Sequence, residues 1–242
     1  MIGHIFNIIF YQPLFNALIF LYEVLPGKDF GIAVIVLTVL IKILLYPLGT
    51  QAIKSQKSIQ EIQPKLKEIQ EKYKNDSRGK ATATMELYKT AKINPFSGFL
   101  SLIIQIPILF ALYRIFWKGL NPQELVKLYS FIPSPGQIDP TFLGFINLAN
   151  PNIYLAILAG IFQFIQTKMT TPQSQPAKSP KSGAPDFSQM MQKQMLYFFP
   201  VFTVFILWKL PSALALYWIV TSIFTILQQY LTLKKSYAPL KT

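Results

Sequence analysis

The stretch that decides the fold class is Gly31-Ile-Ala-Val-Ile-Val-Leu-Thr-Val-Leu-Ile-Lys-Ile-Leu-Leu-Tyr-Pro-Leu48. An apolar run of this length, with a single charge at Lys42, is long enough for a helix to cross the hydrocarbon core of a bilayer. The same bias extends over the chain, because 52% of its 242 residues are hydrophobic and only 14% are charged. Since the apolar residues collect in long runs, the sequence predicts an all-α membrane protein without a soluble core.

Five apolar runs are long enough to span a bilayer, although three of them are near the lower limit of length. They cover residues 30–48, 96–117, 152–169, 190–210 and 212–233. Polar or helix-breaking residues such as Gln105, Pro107 and Pro200 lie inside them. In lipid, such residues need neighbouring helices to satisfy the freed backbone groups. We therefore predict five transmembrane helices that pack against one another.

The first residues of the chain are also apolar, but Gln12 and Pro13 interrupt them. The part that follows is too short to cross a bilayer. No cationic start and no small-residue cleavage site mark a signal peptide. We therefore predict an interfacial helix on the extracytoplasmic side. A sixth crossing by residues 1–22 is the alternative.

The positive charges divide unevenly between the two sides of these spans. Seventeen lysines and arginines lie on one side and four on the other. The four are Lys28, Lys118, Lys127 and Lys209. By the positive-inside rule the larger set is cytoplasmic. This predicts a multi-pass protein with its N-terminus outside and its C-terminus in the cytoplasm.

The topology divides the chain into successive segments. We predict an extracytoplasmic interfacial helix at 1–28, the first transmembrane helix at 29–53, a cytoplasmic helical hairpin at 54–93, four further transmembrane helices at 94–233, and a short cytoplasmic tail at 234–242. The cytoplasmic loop at 170–187 is rich in Pro, Ser, Gln and Lys, a composition typical of flexible linkers.

The hairpin is predicted from a narrow apolar stripe with helical spacing. The stripe consists of Ile59, Ile62, Leu66, Ile69 and Tyr73. A period of three and four residues places these side chains on one face of a helix whose other faces are polar. Residues 75–80 then predict a turn, and residues 81–92 a second helix that brings Met85 and Tyr88 to the stripe. The alternative is a solvated connector that only orients two spans.

Composition also excludes several classes of function. Without cysteine, and with His4 as the sole histidine, the chain has no thiolate and no histidine cluster for a metal site. No glycine-rich phosphate loop is present, which argues against nucleotide hydrolysis. The net charge of +13 lies mainly on one side of the spans, so it fits the membrane topology better than DNA binding. We expect no enzyme, no metal and no cofactor.

Lys42 is the residue that points most directly to a function. A charge inside a span is costly unless it faces protein or water. No Asp or Glu lies in any of the five spans, which argues against a proton relay or a cation pathway. A lone positive charge fits a site that attracts transient negative charge. The alternative is that Lys42 extends to the cytoplasmic headgroups.

Polar side chains from the other spans could share a cavity with Lys42. They are Thr38, Gln105, Gln163, Gln166, Thr203, Thr221 and Ser222. The alternative for these amides and hydroxyls is interhelical hydrogen bonding, which is common in membranes and implies no function.

Several motifs in order resemble a known family. They are the stretch from Gly31 to Leu48, Ser55-Gln-Lys-Ser-Ile-Gln-Glu-Ile-Gln-Pro64, Glu68-Ile-Gln-Glu-Lys-Tyr73, Asn94-Pro95, Gln105-Ile-Pro107, Phe110-Ala-Leu-Tyr-Arg114, Leu210-Pro-Ser-Ala-Leu-Ala-Leu-Tyr-Trp218 and Gln228-Gln229. With these motifs the chain is similar to the YidC-type membrane protein insertases, the YidC/Oxa/Alb family. The resemblance covers almost everything after residue 15, and it implies a short form without a large periplasmic domain.

The resemblance implies five transmembrane helices around a hydrophilic groove that is open to the cytoplasm and to lipid but closed toward the outside. A basic residue, usually arginine, lines the family's groove where this chain has Lys42. A lysine there loses bidentate contact with a carboxylate. A glutamine of the third span, Gln163 or Gln166, and Trp218 also face the groove in the family.

The resemblance also implies a cellular location and binding partners. The location is the plasma (inner) membrane of a bacterium, and the partners are nascent membrane proteins and the lipid bilayer. Ribosome, signal recognition particle receptor and Sec translocon are further candidates. The predicted function is an insertase that passes a client's polar flank through the groove and releases its apolar part into lipid. The alternatives are a small-solute transporter or a structural membrane-assembly scaffold.

Overall fold

The computed structural model describes residues 2–94, 97–118, 120–170 and 187–236. Most of these residues are helical. The helices are α1 Ile2–Phe6, α2 Gln12–Val24, α3 Phe30–Leu44, α4 Tyr46–Glu61, α5 Gln63–Lys72, α6 Ser77–Thr90, α7 Ser97–Lys118, α8 Ile153–Thr170, α9 Phe187–Leu207 and α10 Ser212–Ser236. Together with the apolar composition, they establish the coarse prediction of an all-α membrane protein.

Length and composition single out fewer spans than the five predicted. Among the described residues, Gly3–Val24 and Ser212–Lys234 are each long and apolar enough to cross a membrane. The pair α3 and α4 counts as a third candidate if it is taken as one broken span, and Ile153–Met169 and Leu196–Leu207 are shorter apolar helices. Five crossings therefore stay a prediction. The predicted flexible loop falls on residues that lie outside the described part of the chain, except at its ends.

The first apolar run does not form one continuous helix. Helix α3 ends at Leu44, and α4 begins at Tyr46, with Pro47 in its first turn. A proline has no N–H to donate and its ring collides with the carbonyl four residues earlier, here that of Ile43. The helix predicted over 30–48 is therefore interrupted at Leu45.

The described residues divide into two compact units. The core unit comprises residues 1–45 with 104–226, and the hairpin unit comprises residues 46–103 with 227–242. In the core unit, the start of α10 is enclosed on all sides, because every residue from Ser212 to Tyr217 is buried. The first part of α10, up to Ile226, belongs to the core unit, and its start lies in the centre of that unit.

One end of the core unit, which we call the loop end, is held by short polar contacts. Asp29 accepts a hydrogen bond from the Ile32 amide at the start of α3 (2.9 Å) and another from the Leu143 amide (2.6 Å). Leu143 belongs to the turn between β1 Thr141–Phe142 and β2 Ile146–Asn147, an antiparallel pair that the sequence did not predict. The Ser212 amide donates to the Asn150 carbonyl (3.0 Å), so α10 starts at the same end.

The N-terminal helix, which we define as the continuous run Ile2–Val24, is not ended by Gln12 and Pro13. A π-helical turn at Asn7–Tyr11 precedes them and lets the chain stay helical through the proline. The Gln12 N–H donates to the Asn7 carbonyl in this π-helical pattern, so the backbone hydrogen bonds continue up to the proline. The sequence predicted that these two residues interrupt the apolar run and leave too short a segment to cross, but Gly3–Val24 as a whole is long and apolar enough.

The hairpin unit contains α5 and α6, which are joined by the turn 73–76. Asp76 caps α6 by accepting a hydrogen bond from the Gly79 amide (2.9 Å), and the second helix therefore starts at Ser77, four residues before its predicted start. The five stripe residues are half-buried. On the second helix Tyr88 is half-buried and Met85 is 47% exposed, and their contact with the stripe stays a prediction.

Gln228 fixes the start of α4 inside the hairpin unit. Its buried amide donates to the Tyr46 carbonyl (2.8 Å) and to Thr50 Oγ1 (3.0 Å). We predict that Gln228→Leu destabilises this contact by about 1 to 3 kcal/mol, because the substitution removes both hydrogen bonds that the buried amide donates to the start of α4. Hydrogen exchange of the α4 amides should become faster. The exposed neighbour substitution Leu227→Ala is the control, and equal exchange in both variants would contradict the role of Gln228.

Candidate functional site

Helix α10 brings the polar residues of three other helices to one side of the core unit. Trp218 contacts α8, Tyr217 contacts α7, and Phe224 contacts α3. These three residues span less than two turns of α10, since the helix has 3.6 residues per turn. The predicted site residues of separate spans therefore converge on α10.

Trp218 and Gln163 form a direct pair. The indole Nε1 of Trp218 donates to Gln163 Oε1 at 2.7 Å, and both side chains are half-buried. The bond fixes the orientation of the indole and satisfies a donor that would be costly to leave unpaired in lipid. Gln166 is also half-buried and has contacts of its own. The contact with Trp218 favours Gln163 as the third-span glutamine of the site.

Gln105 is joined to α10 through Tyr217, a residue that the sequence analysis missed. The Gln105 amide donates to the Tyr217 hydroxyl, and the Thr221 hydroxyl lies beside the same phenol. Tyr217 is fully buried, and its bond with Gln105 joins α7 to α10, whereas the buried Thr221 hydroxyl has no hydrogen-bond partner among the described residues. Its only signal in the sequence is its position immediately before Trp218.

Lys42 lies in the last turn of α3 and is half-buried. Its Nζ is 5.9 Å from the centroid of the Phe224 ring. Leu40 and Leu44 on the same helix are 50% and 78% exposed, so they form the outward face. Lys42 instead follows Thr38 by four residues, which places both on one helix face. Its charge therefore lies toward α10 rather than toward the outward face.

The position of Lys42 also bears on how its charge is stabilised. Helix α3 ends two residues later, and a cation near a helix C-terminus is favoured by the partial negative charge of the last carbonyls. Lys42 is twelve residues after Phe30, or about 18 Å from the loop end at 1.5 Å per residue. Extension to the headgroups is easier from this last turn than from the middle of a span.

The predicted hydroxyl residues are not all open to a cavity. Thr38 is 1% exposed, and its Oγ1 donates to the Val34 carbonyl of its own helix at 2.6 Å. Thr203 and Ser222 are buried as well. A buried hydroxyl that is bonded within its own helix contributes to packing, so Thr38 does not belong to the site that we propose below.

A second polar cluster, which the sequence did not predict, lies at the loop end. The Tyr11 hydroxyl donates to Glu124 Oε2 at 2.6 Å, and Lys127 Nζ donates to the same oxygen at 2.5 Å. The Arg114 guanidinium lies 4.4 Å from the centroid of the Tyr11 ring. Partial burial acts to raise the pKa of the Glu124 carboxyl, but the bonds from Lys127 and Tyr11 and the charge of Arg114 together outweigh it and lower that pKa.

The lowered pKa of Glu124 predicts that this cluster weakens in acid. A carboxyl whose pKa is lower in the folded state contributes stability above its unfolded pKa, about 4.3, and loses it as the pH falls through the folded value. We expect hydrogen exchange of residues 122–129 to accelerate below pH 4. Glu124→Gln should remove this pH dependence. Identical acid behaviour of the two proteins would contradict the assignment.

The packed apolar helices, with amide, indole and ammonium groups converging on a central helix, define a helical membrane protein with a polar site inside its core unit. Over residues 20–238 the chain matches the family described as 60Kd inner membrane protein. The chain belongs to this family of bacterial inner membrane insertases, which are not catalytic enzymes. The family predicted from the sequence motifs is thereby confirmed.

Named relatives agree with this assignment. The chain is 36% identical over 207 residues to a membrane protein insertase YidC of Fusobacterium nucleatum, a match that covers 86% of this chain and 87% of that protein. It is 36% and 37% identical to proteins of the same name from Geobacter metallireducens and Syntrophus aciditrophicus. These matches cover 90% of this chain but only 35% of each of those two longer relatives.

Proposed function

We propose that the chain inserts nascent hydrophobic segments into the bacterial inner membrane through a groove that contains Lys42, Gln163 and Trp218. The family membership supports insertion as the activity. The observation that carries the proposed site is the placement of Lys42, whose charge lies toward α10, while none of the five spans predicted from the sequence contains an acidic residue. A cation without a fixed counter-ion is suited to a client that brings its own negative charge.

The proposed mechanism lowers the cost of desolvating the client's polar flank. A client enters from the cytoplasm with its polar outer segment in the groove, while its apolar part moves out into lipid. Dipoles that are already oriented, such as the Gln163 amide and the Trp218 indole, replace part of the lost hydration without having to reorganise. No covalent step and no nucleotide hydrolysis is involved.

Short helices support this mechanism. Helix α3 has 15 residues and α8 has 18, which correspond to about 22 Å and 27 Å. Both values are below the ~30 Å hydrocarbon thickness of a typical bilayer. A bilayer that thins locally to match them would shorten the path of the client's polar flank.

We propose that the N-terminal helix lies along the extracytoplasmic interface although it is long enough to span. Tyr11 contacts Arg114, and Tyr22 packs on Phe30, which in turn packs on Phe116. Arg114 and Phe116 differ by only about 3 Å along α7, whereas the two tyrosines are about 16 Å apart along their own helix. These contacts fit a helix that crosses the end of α7 rather than running parallel to it.

Polar loop contacts support the same orientation. Asn16 donates to the Lys127 carbonyl (3.3 Å) and accepts from the Tyr129 amide (2.7 Å), and the Tyr22 hydroxyl accepts from the Asp139 amide (3.1 Å). Irregular backbone exposed to lipid does not occur inside the hydrocarbon region. The loop that covers this helix therefore supports an interfacial position over a crossing. The uneven distribution of lysines and arginines supports an N-terminus outside and a C-terminus in the cytoplasm.

On this topology the hairpin unit faces the cytoplasm. Most lysines of α4 to α6 are exposed, so their charge suits an anionic partner such as a ribosomal surface. We keep ribosome, signal recognition particle receptor and Sec translocon as candidate partners for that side. A solute transporter or a structural scaffold would not need a water-filled groove around Lys42 that opens to the cytoplasm and to lipid. Water access to Lys42 therefore distinguishes these two classes from an insertase.

The test uses cysteine substitution in this naturally cysteine-free chain. We predict that Lys42→Cys and Gln163→Cys react with a membrane-impermeant maleimide added from the cytoplasmic side, because a hydrophilic groove admits water to both positions. Leu40→Cys, which lies on the outward face of the same helix, is the control and should stay unlabelled in lipid. If Lys42→Cys is as unreactive as Leu40→Cys, the groove proposal fails.

A further inference from the structure

A mostly apolar groove lies under the start of the N-terminal helix. It has a volume of about 620 Å³, and Gly3 and Phe6 line one wall while α7 lines the other. The wall formed by α7 extends from Ile106 to Lys118. Twelve residues of α helix rise about 18 Å, slightly more than half of the ~30 Å hydrocarbon thickness, so the groove has the depth of one leaflet.

The two ends of the groove differ in chemistry. Ile106 and Phe110 line the deep part and are 50% and 62% exposed. Arg114 and Lys118 line the part near the loop end, one helical turn apart, together with Trp117. Indole rings favour the headgroup region of a bilayer, and lysine and arginine near helix ends place their charges there. The groove is therefore apolar at depth and cationic at the level of the headgroups.

Neither cation is held in an ion pair by a described carboxylate. Arg114 acts electrostatically on Glu124, but that carboxylate already accepts hydrogen bonds from Lys127 and Tyr11. Among the residues that the structure describes, no carboxylate lies within 4 Å of Arg114 or Lys118. Arg114 contacts the Tyr11 ring, an interaction that uses none of its N–H groups as hydrogen-bond donors to oxygen. Guanidinium groups bind phosphate through such donors, and ammonium groups bind it as point charges. Both positive charges are available to an anion at the mouth of the groove.

We propose that this groove binds one anionic phospholipid of the outer leaflet. Its phosphate lies between Arg114 and Lys118, and one acyl chain follows Phe110 toward Ile106. The assignment to the outer leaflet rests on the topology proposed above, but the binding chemistry does not. A zwitterionic lipid offers the same phosphate but also carries a cation that Arg114 and Lys118 would repel, whereas an anionic lipid keeps its net negative charge. A second protein copy would need an acidic residue beside an apolar ridge.

Lipid retention on the purified full-length chain tests the proposal. The protein is reconstituted with equal amounts of phosphatidylglycerol and phosphatidylcholine, released into detergent, and examined by native mass spectrometry. We expect at least threefold more retained phosphatidylglycerol than phosphatidylcholine. Lys118→Gln, which changes an exposed side chain, should lower this ratio at least twofold, and Arg114→Lys should preserve it. Lys209→Gln is the control, because Lys209 is an exposed cation at the same end that does not line the groove.

Further variants and competitors separate the lipid from other occupants. Ile106→Trp fills the deep part and should reduce retention of both lipids, whereas an excess of glycerol 3-phosphate should displace neither. Equal retention of the two lipids by the wild type would overturn the proposal. An equal loss in Lys209→Gln, displacement by glycerol 3-phosphate, or a protein dimer in place of bound lipid would do so as well. Since no client is present, the outcome is independent of insertion activity.

Discussion

Lys42→Glu will stop insertion of clients with acidic outer segments while leaving clients with neutral flanks nearly unaffected. The reason is electrostatic. One unit charge at ~6 Å in a medium of effective dielectric constant ~20 contributes about 3 kcal/mol, and reversal of the sign doubles the change. Each 1.4 kcal/mol corresponds to about tenfold in rate, so the charge reversal exceeds the range of most insertion assays.

More conservative substitutions at Lys42 should have smaller effects on insertion. Lys42→Gln removes the charge but keeps a polar side chain, and we expect insertion of acidic clients to fall about tenfold or more. Lys42→Arg keeps the charge and restores the donor geometry that is usual in the family, so insertion should be preserved. The measurement is an in vitro insertion assay with matched clients that differ only in flank charge. Protein levels in the membrane are compared so that folding defects are excluded.

The same assay can show whether the charge of Lys42 contributes to insertion at all. Lys42 also lies in the last turn of α3, where a cation is favoured by the helix terminus without any client. If the Gln and Lys proteins insert every client equally well, Lys42 is an anchor of the helix end. Insertion would then depend on the uncharged polar groups and on the shortness of the helices.

The pairing of Trp218 with Gln163 shows how much of the site could be predicted from the sequence. The family resemblance implied that Trp218 and one of two third-span glutamines face the same groove, and the observed 2.7 Å bond joins Trp218 to Gln163. The choice between Gln163 and Gln166 was left open because both lie on similar faces of α8, three residues apart. Only the position of the indole on α10 separates them, and that position depends on how two helices distant in sequence pack.

Other features of the structure could not be predicted from the sequence because they depend on contacts between segments that are distant in the chain. The cluster of Tyr11, Glu124 and Lys127 joins residues more than a hundred positions apart, and none of them belongs to a motif. The interruption at Leu45 had a local signal in Pro47, but hydropathy outweighed it, since the apolar run continues to Leu48. Apolar length alone locates a span and does not show where its helix breaks.

The packing of α8 on α9 gives the prediction with the largest effect on stability. Gly160 of α8 faces α9 so closely that an added Cβ would lie 2.4 Å from Val204 Cγ2 and 3.2 Å from the Pro200 carbonyl oxygen. Small residues let membrane helices approach, and this contact replaces the hydrophobic effect that drives packing in water. Gly160→Ala must therefore move α9 or force Val204 out of its rotamer, and we expect a loss of about 1 to 3 kcal/mol. Gly160→Leu should prevent stable folding.

A compensating substitution distinguishes this steric effect from a change in helix propensity. Alanine favours helix over glycine by up to ~1 kcal/mol, so propensity alone would make Gly160→Ala more stable. Gly3→Ala, which meets nothing within 4 Å, measures that contribution. The double variant Gly160→Ala with Val204→Ala removes the methyl groups that collide, and it should recover much of the lost stability in a detergent unfolding assay. Because Gly160 and Val204 are in contact, their effects should be strongly non-additive. Additive losses would mean that the two helices do not approach each other at Gly160 as described.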